Sequence, residues 1–268
     1  MSAQATRQNK IEIVFLSLKV YTFFMAKLPR LSKPSQPNDG EPASLAVIQP
    51  RRLTKSLQSK RIFAAEIIRL LKKYYPQTEC ALHHKNVFEL LVATILSAQC
   101  TDVRVNQITP ALFSKFPRPK SFADAQVEEI EELIRSAGFY KNKAKNIKAA
   151  AQAIVANHGG KVPNSLEELT KLAGVGRKTA NVVLGVGFKI PSGIVVDTHV
   201  TRLSNRFGFV KTENAVIIER ELGEIIDKKE WIDFSHRLID HGRKICKARK
   251  PRCEVCFLSD ICPSSATG

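Results

Sequence analysis

Lys178 lies in the run Leu172-Ala173-Gly174-Val175-Gly176-Arg177-Lys178-Thr179-Ala180-Asn181. A lysine amine can be a nucleophile that forms an imine with a carbon substrate. A lysine in a helix's first turn is more often plain solvated charge, so its setting has to decide. Ser165 and Glu168 are spaced as a capping box, which predicts a short helix through Leu166 and Leu169. Gly174 and Gly176 then break that helix, and two glycines let the backbone turn tightly and approach a ligand. A second helix is expected from about Arg177, where free N–H groups suit a phosphate. Two helices joined by such a hairpin would grip a nucleic-acid backbone through Gly174, Val175, Gly176, Arg177 and Thr179. An ordinary glycine-rich turn has the same letters, and G-x-G alone does not separate the two. Asp197 follows the apolar triplet Ile194–Val196, the one strand-like stretch, and suits the N-cap of a further helix. It lies 19 residues after Lys178, one helix and one turn away, so both side chains can face one cleft.

Thiols form the second chemical cluster. Of six cysteines, Cys246, Cys253, Cys256 and Cys262 crowd the last 23 residues, while Cys80 and Cys100 stand apart as expected small buried hydrophobes. A disulfide framework suits a short secreted chain, and this one is neither short nor led by a clear signal peptide. The apolar stretch Val14–Leu18 is closely flanked by Glu12 and Lys19, too short for a membrane span and too interrupted for a signal sequence. In a reducing, intracellular setting, clustered thiols point to metal. Zinc sites usually pair two short hooks. Here only Cys253 and Cys256 make one, and an iron–sulfur cluster tolerates wider spacing. Spacing leaves both open.

These residues have to be positioned by helices. Phe63, Ile67, Leu70, Leu71 and Tyr74 share a helical face, as do Phe88–Leu96, Ile147–Val155, Ala180–Phe188 and Ile218–Ile226. The first of these predicts a helix over 61–76, and the class is all-α. At 44% hydrophobic but only 7% aromatic, the core should be mostly aliphatic. Forty-two Lys and Arg against 25 Asp and Glu leave +17. The first 61 residues hold 11 basic and 3 acidic side chains, a surplus of 8, so the remainder carries +9. The globular part is itself basic, which suits a polyanion partner. Residues 1–58, with a Pro/Ser-rich stretch from Ser32 to Ser44, read as a disordered basic extension. Met25 is an alternative start, and the same segment is composed like a transit peptide.

The hairpin run, followed by V-V-D-T-H-V at Val195–Val200, resembles the endonuclease III family of DNA glycosylases. Leu96-Ser97-Ala98-Gln99-Cys100-Thr101-Asp102, Gly138-Phe139-Tyr140 with Lys143-Ala144, and the four-cysteine spacing resemble three further family segments, in order. The resemblance covers about residues 61 to 263. It implies Lys178 as the nucleophile of a bifunctional glycosylase and abasic-site lyase, with Asp197 as the carboxylate that stabilises positive charge on the sugar. It implies a [4Fe–4S] cluster on Cys246, Cys253, Cys256 and Cys262. Gln99 matches the family's duplex-inserting glutamine and Phe139 its apolar wedge, and His199 joins the DNA-facing set. The bland alternatives are a helix C-cap for Gln99 and a core position for Phe139.

The implied layout is two helical domains around a DNA-binding cleft: a bundle over 80–190 ending in the hairpin, and a cluster domain from 59–79 with 191–268. Arg249 and Lys250, in the basic run between the first two cysteines, are expected to meet phosphate. The partner would be double-stranded DNA bearing oxidised pyrimidines or abasic sites, acted on by a monomer with no membrane association. The expected location is the bacterial cytoplasm or nucleoid, with organelle targeting by the extension left open. Two alternatives stand beside this: a monofunctional mismatch glycosylase, which typically lacks the lysine, and a non-catalytic helix–hairpin–helix protein with a zinc knot. Pocket shape, which decides lesion preference, is not written in the sequence.

Overall fold

The computed structural model describes residues 56–267. The readings of residues 1–55, including the Met25 start and a transit peptide, lie outside the described residues. Eleven α-helices follow in order among the described residues: α1 (Leu57–Tyr74), α2 (Val87–Ser97), α3 (Asp102–Lys115), α4 (Pro119–Asp124), α5 (Val127–Ile134), α6 (Tyr140–His158), α7 (Leu166–Lys171), α8 (Arg177–Val182), α9 (Thr198–Arg206), α10 (Ala215–Ile225) and α11 (Trp231–Lys244). A π-turn, Val183–Gly187, extends α8.

Helix α1 begins four residues earlier than its apolar stripe implies, because Ser56 caps it by accepting from the Ser59 N–H. The helix thus includes Leu57 and Gln58, both expected in the extension. The strand-like triplet Ile194–Val196 is irregular backbone. With no neighbouring strand among the described residues it has no ladder to join. It still buries Ile194 and Val196 in a core.

The apolar residues gather in two clusters within one compact unit. One runs from Leu82 to Leu184 and contains the stripes of α2, α3, α5, α6 and α8. The other joins Phe63–Leu71 of α1 to residues from Ile194 to Leu258. The chain thus leaves the second core after α1 and returns to it through the 194–196 segment. Cys80 and Cys100 pack, partly buried, against the first core. No described helix is long and apolar enough to cross a membrane.

Candidate active site and thiol cluster

One cleft is walled on one side by α11 and on the other by α8 and the C-terminal end of α2. Its lining from α11 is Ile232, Ser235, His236, Ile239, Asp240 and Arg243, spaced as a single helical face. Asn181, Val182 and Gly185 line it from α8 and its π-turn, and Thr94 and Ser97 from α2. Asp197 lines it too. Arg243 donates to Asp102 Oδ2 at 2.6 Å, tying α11 to the start of α3.

Asp197 is the N-cap of α9, and its Oδ1 accepts from the N–H groups of His199 and Val200 at 2.9 and 2.8 Å. Oδ2 has no hydrogen-bond partner among the described residues, so the carboxylate keeps one oxygen for chemistry. Lys178 is exposed in the first turn of α8. Asn181 and Val182, which follow it by three and four residues, line the cleft, while Lys178 itself is not among the residues that line it. Asn181 is held by Glu219, which accepts from Asn181 Nδ2 at 3.0 Å, and by Ser192, whose hydroxyl donates to Asn181 Oδ1 at 2.8 Å.

The hairpin forms where the glycines predict it. Ser165 Oγ accepts from the Glu168 N–H at 3.2 Å and starts α7. The capping box is only half made, because Glu168 is drawn instead to Lys171 at 2.7 Å. Gly174 has φ +75°, and a Cβ there would lie 2.9 Å from Asn146 Cβ, so both backbone and packing require glycine. Gly176 has ordinary φ, and a Cβ there would meet nothing within 4 Å. Val175 is buried in the first core and anchors the turn rather than facing outward. Thr179 is half-buried in the first turn of α8. The Arg177 guanidinium, about half exposed, makes two bonds to Glu219, at 2.9 and 3.0 Å.

Gln99 and Phe139 occupy adjacent turns. A Cβ on Gly138 would lie 3.4 Å from the Gln99 carbonyl oxygen. Both residues have left-handed backbone, φ +52° and +57°, an uncommon conformation that costs energy in a residue other than glycine. Gln99 is exposed just beyond the end of α2. Phe139 is 69% exposed, so it is not a core residue. Nothing in the pattern of letters signalled what supports this pair. The buried Lys143 of α6 donates to the Leu96 carbonyl at 2.8 Å and satisfies the end of α2 beneath the Gln99 turn. Burial holds its pKa below the usual lysine value.

His199 is half-buried. Its ring is turned toward Arg202, whose Nη2 donates to His199 Nδ1 at 3.1 Å. A Cβ on Gly242 would lie 2.7 Å from that nitrogen, so this edge of the ring packs against the backbone of α11. Arg202 also donates to the carbonyls of Gly242 and Cys246.

Cys246, Cys253, Cys256 and Cys262 are free thiols lining one small cavity with Arg206, His241 and Leu258. Burial, and then the other three sulfurs, push the Cys256 thiol up to about 11. Four sulfurs so close become ligands only around a centre of positive charge. Arg206 is the residue spacing missed. Its Nη1 lies 2.9 Å from Cys246 Sγ, and it donates to the carbonyls of Lys247 and Ala248 at 2.9 and 3.0 Å. It thereby holds the loop that carries Arg249 and Lys250, both exposed and without an ion-pair partner among the described residues.

Residues 92–228 match the family described as HhH-GPD superfamily base excision DNA repair protein, and residues 246–262 match the iron–sulfur binding domain of endonuclease III. The chain is 51% identical over 213 residues to endonuclease III of Synechocystis sp., covering 80% of this chain and 97% of the relative.

The chain belongs to the endonuclease III family. Endonuclease III of Bacillus subtilis is 48% identical, covering 70% of this chain and 86% of the relative. A trapped covalent intermediate of endonuclease III with DNA is 44% identical with a TM-score of 0.72, covering 76% of this chain and 96% of the other. A thermostable thymine-DNA glycosylase, 24% identical with a TM-score of 0.68, shares the fold alone. This endonuclease III homologue is an all-α, bifunctional DNA glycosylase and abasic-site lyase of base excision repair, and it carries a [4Fe–4S] cluster.

Proposed function

We propose that the chain removes oxidised pyrimidines from duplex DNA, with Lys178 as nucleophile and Asp197 as the stabilising carboxylate. What supports this is an exposed Lys178, unpaired among the described residues, in the first turn of α8, one turn before Asn181 and Val182 of the cleft lining, with the half-free carboxylate of Asp197 in the cleft wall. The target nucleotide must leave the stack to reach such a cleft. Gln99 and Phe139, exposed on adjacent strained turns, are suited to fill the gap it leaves. The Lys178 amine attacks C1′, the C1′–N bond breaks, and the base departs with a proton. The sugar ring then opens to a protonated imine. Loss of the acidified C2′ hydrogen expels the 3′-phosphate, and water releases the lysine. Asp197 stabilises positive charge at C1′ as the base leaves.

The two cores suit two lobes, a bundle over 80–190 and a cluster lobe from 59–79 with 191–268, acting as a monomer inside the cell. Cys246, Cys253, Cys256 and Cys262 would hold the [4Fe–4S] cluster, which supplies the positive centre that keeps four thiolates together. Borohydride added to the protein with DNA bearing thymine glycol tests the central reading: a covalent adduct is expected, and base release without one would refute it.

Two further outcomes follow from the DNA-facing surfaces. Gly174→Ala is expected to lose about 1–3 kcal/mol of stability in a denaturant melt, from strain at positive φ. Gly176→Ala should change stability by less than about 1 kcal/mol. It should nonetheless weaken duplex binding about tenfold, because its methyl would hold the hairpin N–H groups off a phosphate. Equal effects from both substitutions would count against a DNA role for the hairpin. Neutralising Arg249 and Lys250 together should flatten the salt dependence of binding by about one to two units of slope, roughly 0.9 for each phosphate no longer neutralised. Damaged and undamaged duplexes should be affected alike. A wild-type slope in the double variant would mean the loop does not meet phosphate.

A further inference from the structure

Most polar groups of the cleft are already committed. Asn181 is held on both sides of its amide, and Asp102 is paired with Arg243. The Ser97 hydroxyl donates to the Thr94 carbonyl and that of Ser235 to the Trp231 carbonyl. Asp240 is paired with Lys244. His236 differs from all of these: neither ring nitrogen has a hydrogen-bond partner among the described residues. It lies on the cleft face of α11, two helical turns from Arg243, with Ile232 and Ile239 one turn to either side. It also borders a neighbouring hollow with Lys189 and Asp233, so the ring stands in the wall that separates the two spaces.

We propose that His236 is a specificity-determining residue that reads the extruded base, using one ring nitrogen as donor and the other as acceptor. This rests on the reading of the cleft as the base pocket. His236 is half-buried, so an imidazole that makes no bond to the protein is left free to pair with a ligand entering the cleft. A neutral imidazole offers one N–H and one lone pair, and the tautomer can exchange them. An oxidised pyrimidine presents carbonyl oxygens, a ring N–H and added hydroxyls, so an imidazole can answer either kind of edge. Burial lowers the His236 pKa from its ordinary value and so favours that neutral form. The flanking isoleucines give the ring edge an apolar surround, in which one hydrogen bond discriminates more strongly than in water.

The test uses the full chain with its cluster, and three proteins: wild type, His236→Ala and His236→Gln. Base release is followed under single-turnover conditions on duplexes bearing thymine glycol and dihydrouracil. Strand cleavage is followed on a duplex with a preformed abasic site, which has no base to read. His236→Ala is expected to lose about tenfold or more in base release, the scale of one hydrogen bond in a desolvated pocket, with the two lesions affected unequally. Cleavage at the abasic site, the borohydride adduct there and the cluster's visible absorbance should stay within about twofold of wild type. Glutamine keeps a donor and an acceptor, and His236→Gln should recover most of the loss. Equal losses on lesion and abasic duplexes would show a structural role and overturn the proposal, as would unchanged base release in His236→Ala. Failure of the lysine reading looks different: the wild type itself would form no borohydride adduct on the abasic duplex.

Discussion

Lys178→Gln is expected to lose the borohydride adduct completely and to slow β-elimination at abasic sites by about a thousandfold or more, the scale seen when a nucleophile is removed. The amine is the atom that becomes the imine nitrogen, and an amide nitrogen does not form one. The fold should not respond. Lys178 is exposed and makes no hydrogen bond or ion pair among the described residues, glutamine has a similar helix propensity, and α8 is held by Asn181 and Ala180 in its buried side. DNA binding should weaken by no more than one cation's worth, about one unit of salt slope. The measurement is gel quantification of the trapped adduct beside a salt titration of binding and a thermal melt. Trapping at the wild-type level would transfer the nucleophile to another amine.

Asp197→Asn should separate the two roles of that carboxylate. Its Oδ1 caps α9 through two backbone N–H groups, and an asparagine oxygen caps as well. The helix should therefore stay, and stability should fall by only a few tenths of a kcal/mol. The negative charge is lost, and base release is expected to fall by about 10²-fold or more, the scale of a removed charge stabiliser. Abasic-site cleavage should fall less, because no glycosidic bond has to break there. Asp197→Ala, which removes the cap too, should cost about 1 kcal/mol in addition. Single-turnover rates on thymine glycol and abasic duplexes, with melts of both variants, read these effects apart. Near-normal base release by Asp197→Asn would leave Asp197 as a cap and nothing more.

The site was legible where chemistry is written locally. Gly174 announced a tight turn because no other residue tolerates both its φ and the approach of Asn146. Ser165 announced the start of α7, and Asp197 the start of α9, because a cap and the N–H groups it serves are two or three residues apart. The apolar stripes of α2, α6 and α10 could be read from period alone. The same local view misled at Ile194–Val196, whose β-branched letters fit a strand but have no ladder to join. It also left Phe139 undecided between core and surface, since an aromatic flanked by glycine and tyrosine carries no periodicity.

By itself, then, the sequence determined the helices, the hairpin, the four thiols, and the resemblance that assigns Lys178 and Asp197 their chemistry. Each is set by neighbours within a few turns or by an ordered run of motifs. Only the tertiary structure decided which side chains are free to act. Arg177 is paired with Glu219, 42 residues away, and one edge of His199 packs onto Arg202 and the glycine of α11. Arg243 reaches Asp102 across 141 residues, and Arg206 grips the loop that follows Cys246. Most such pairings depend on segments distant in the chain coming together, and a charge in a sequence has no preferred partner until packing puts one within a few ångströms. His236 is the converse. Nothing in its neighbourhood of letters marks it, and it stands out because the fold gives most polar groups of the cleft a partner and leaves this ring without one.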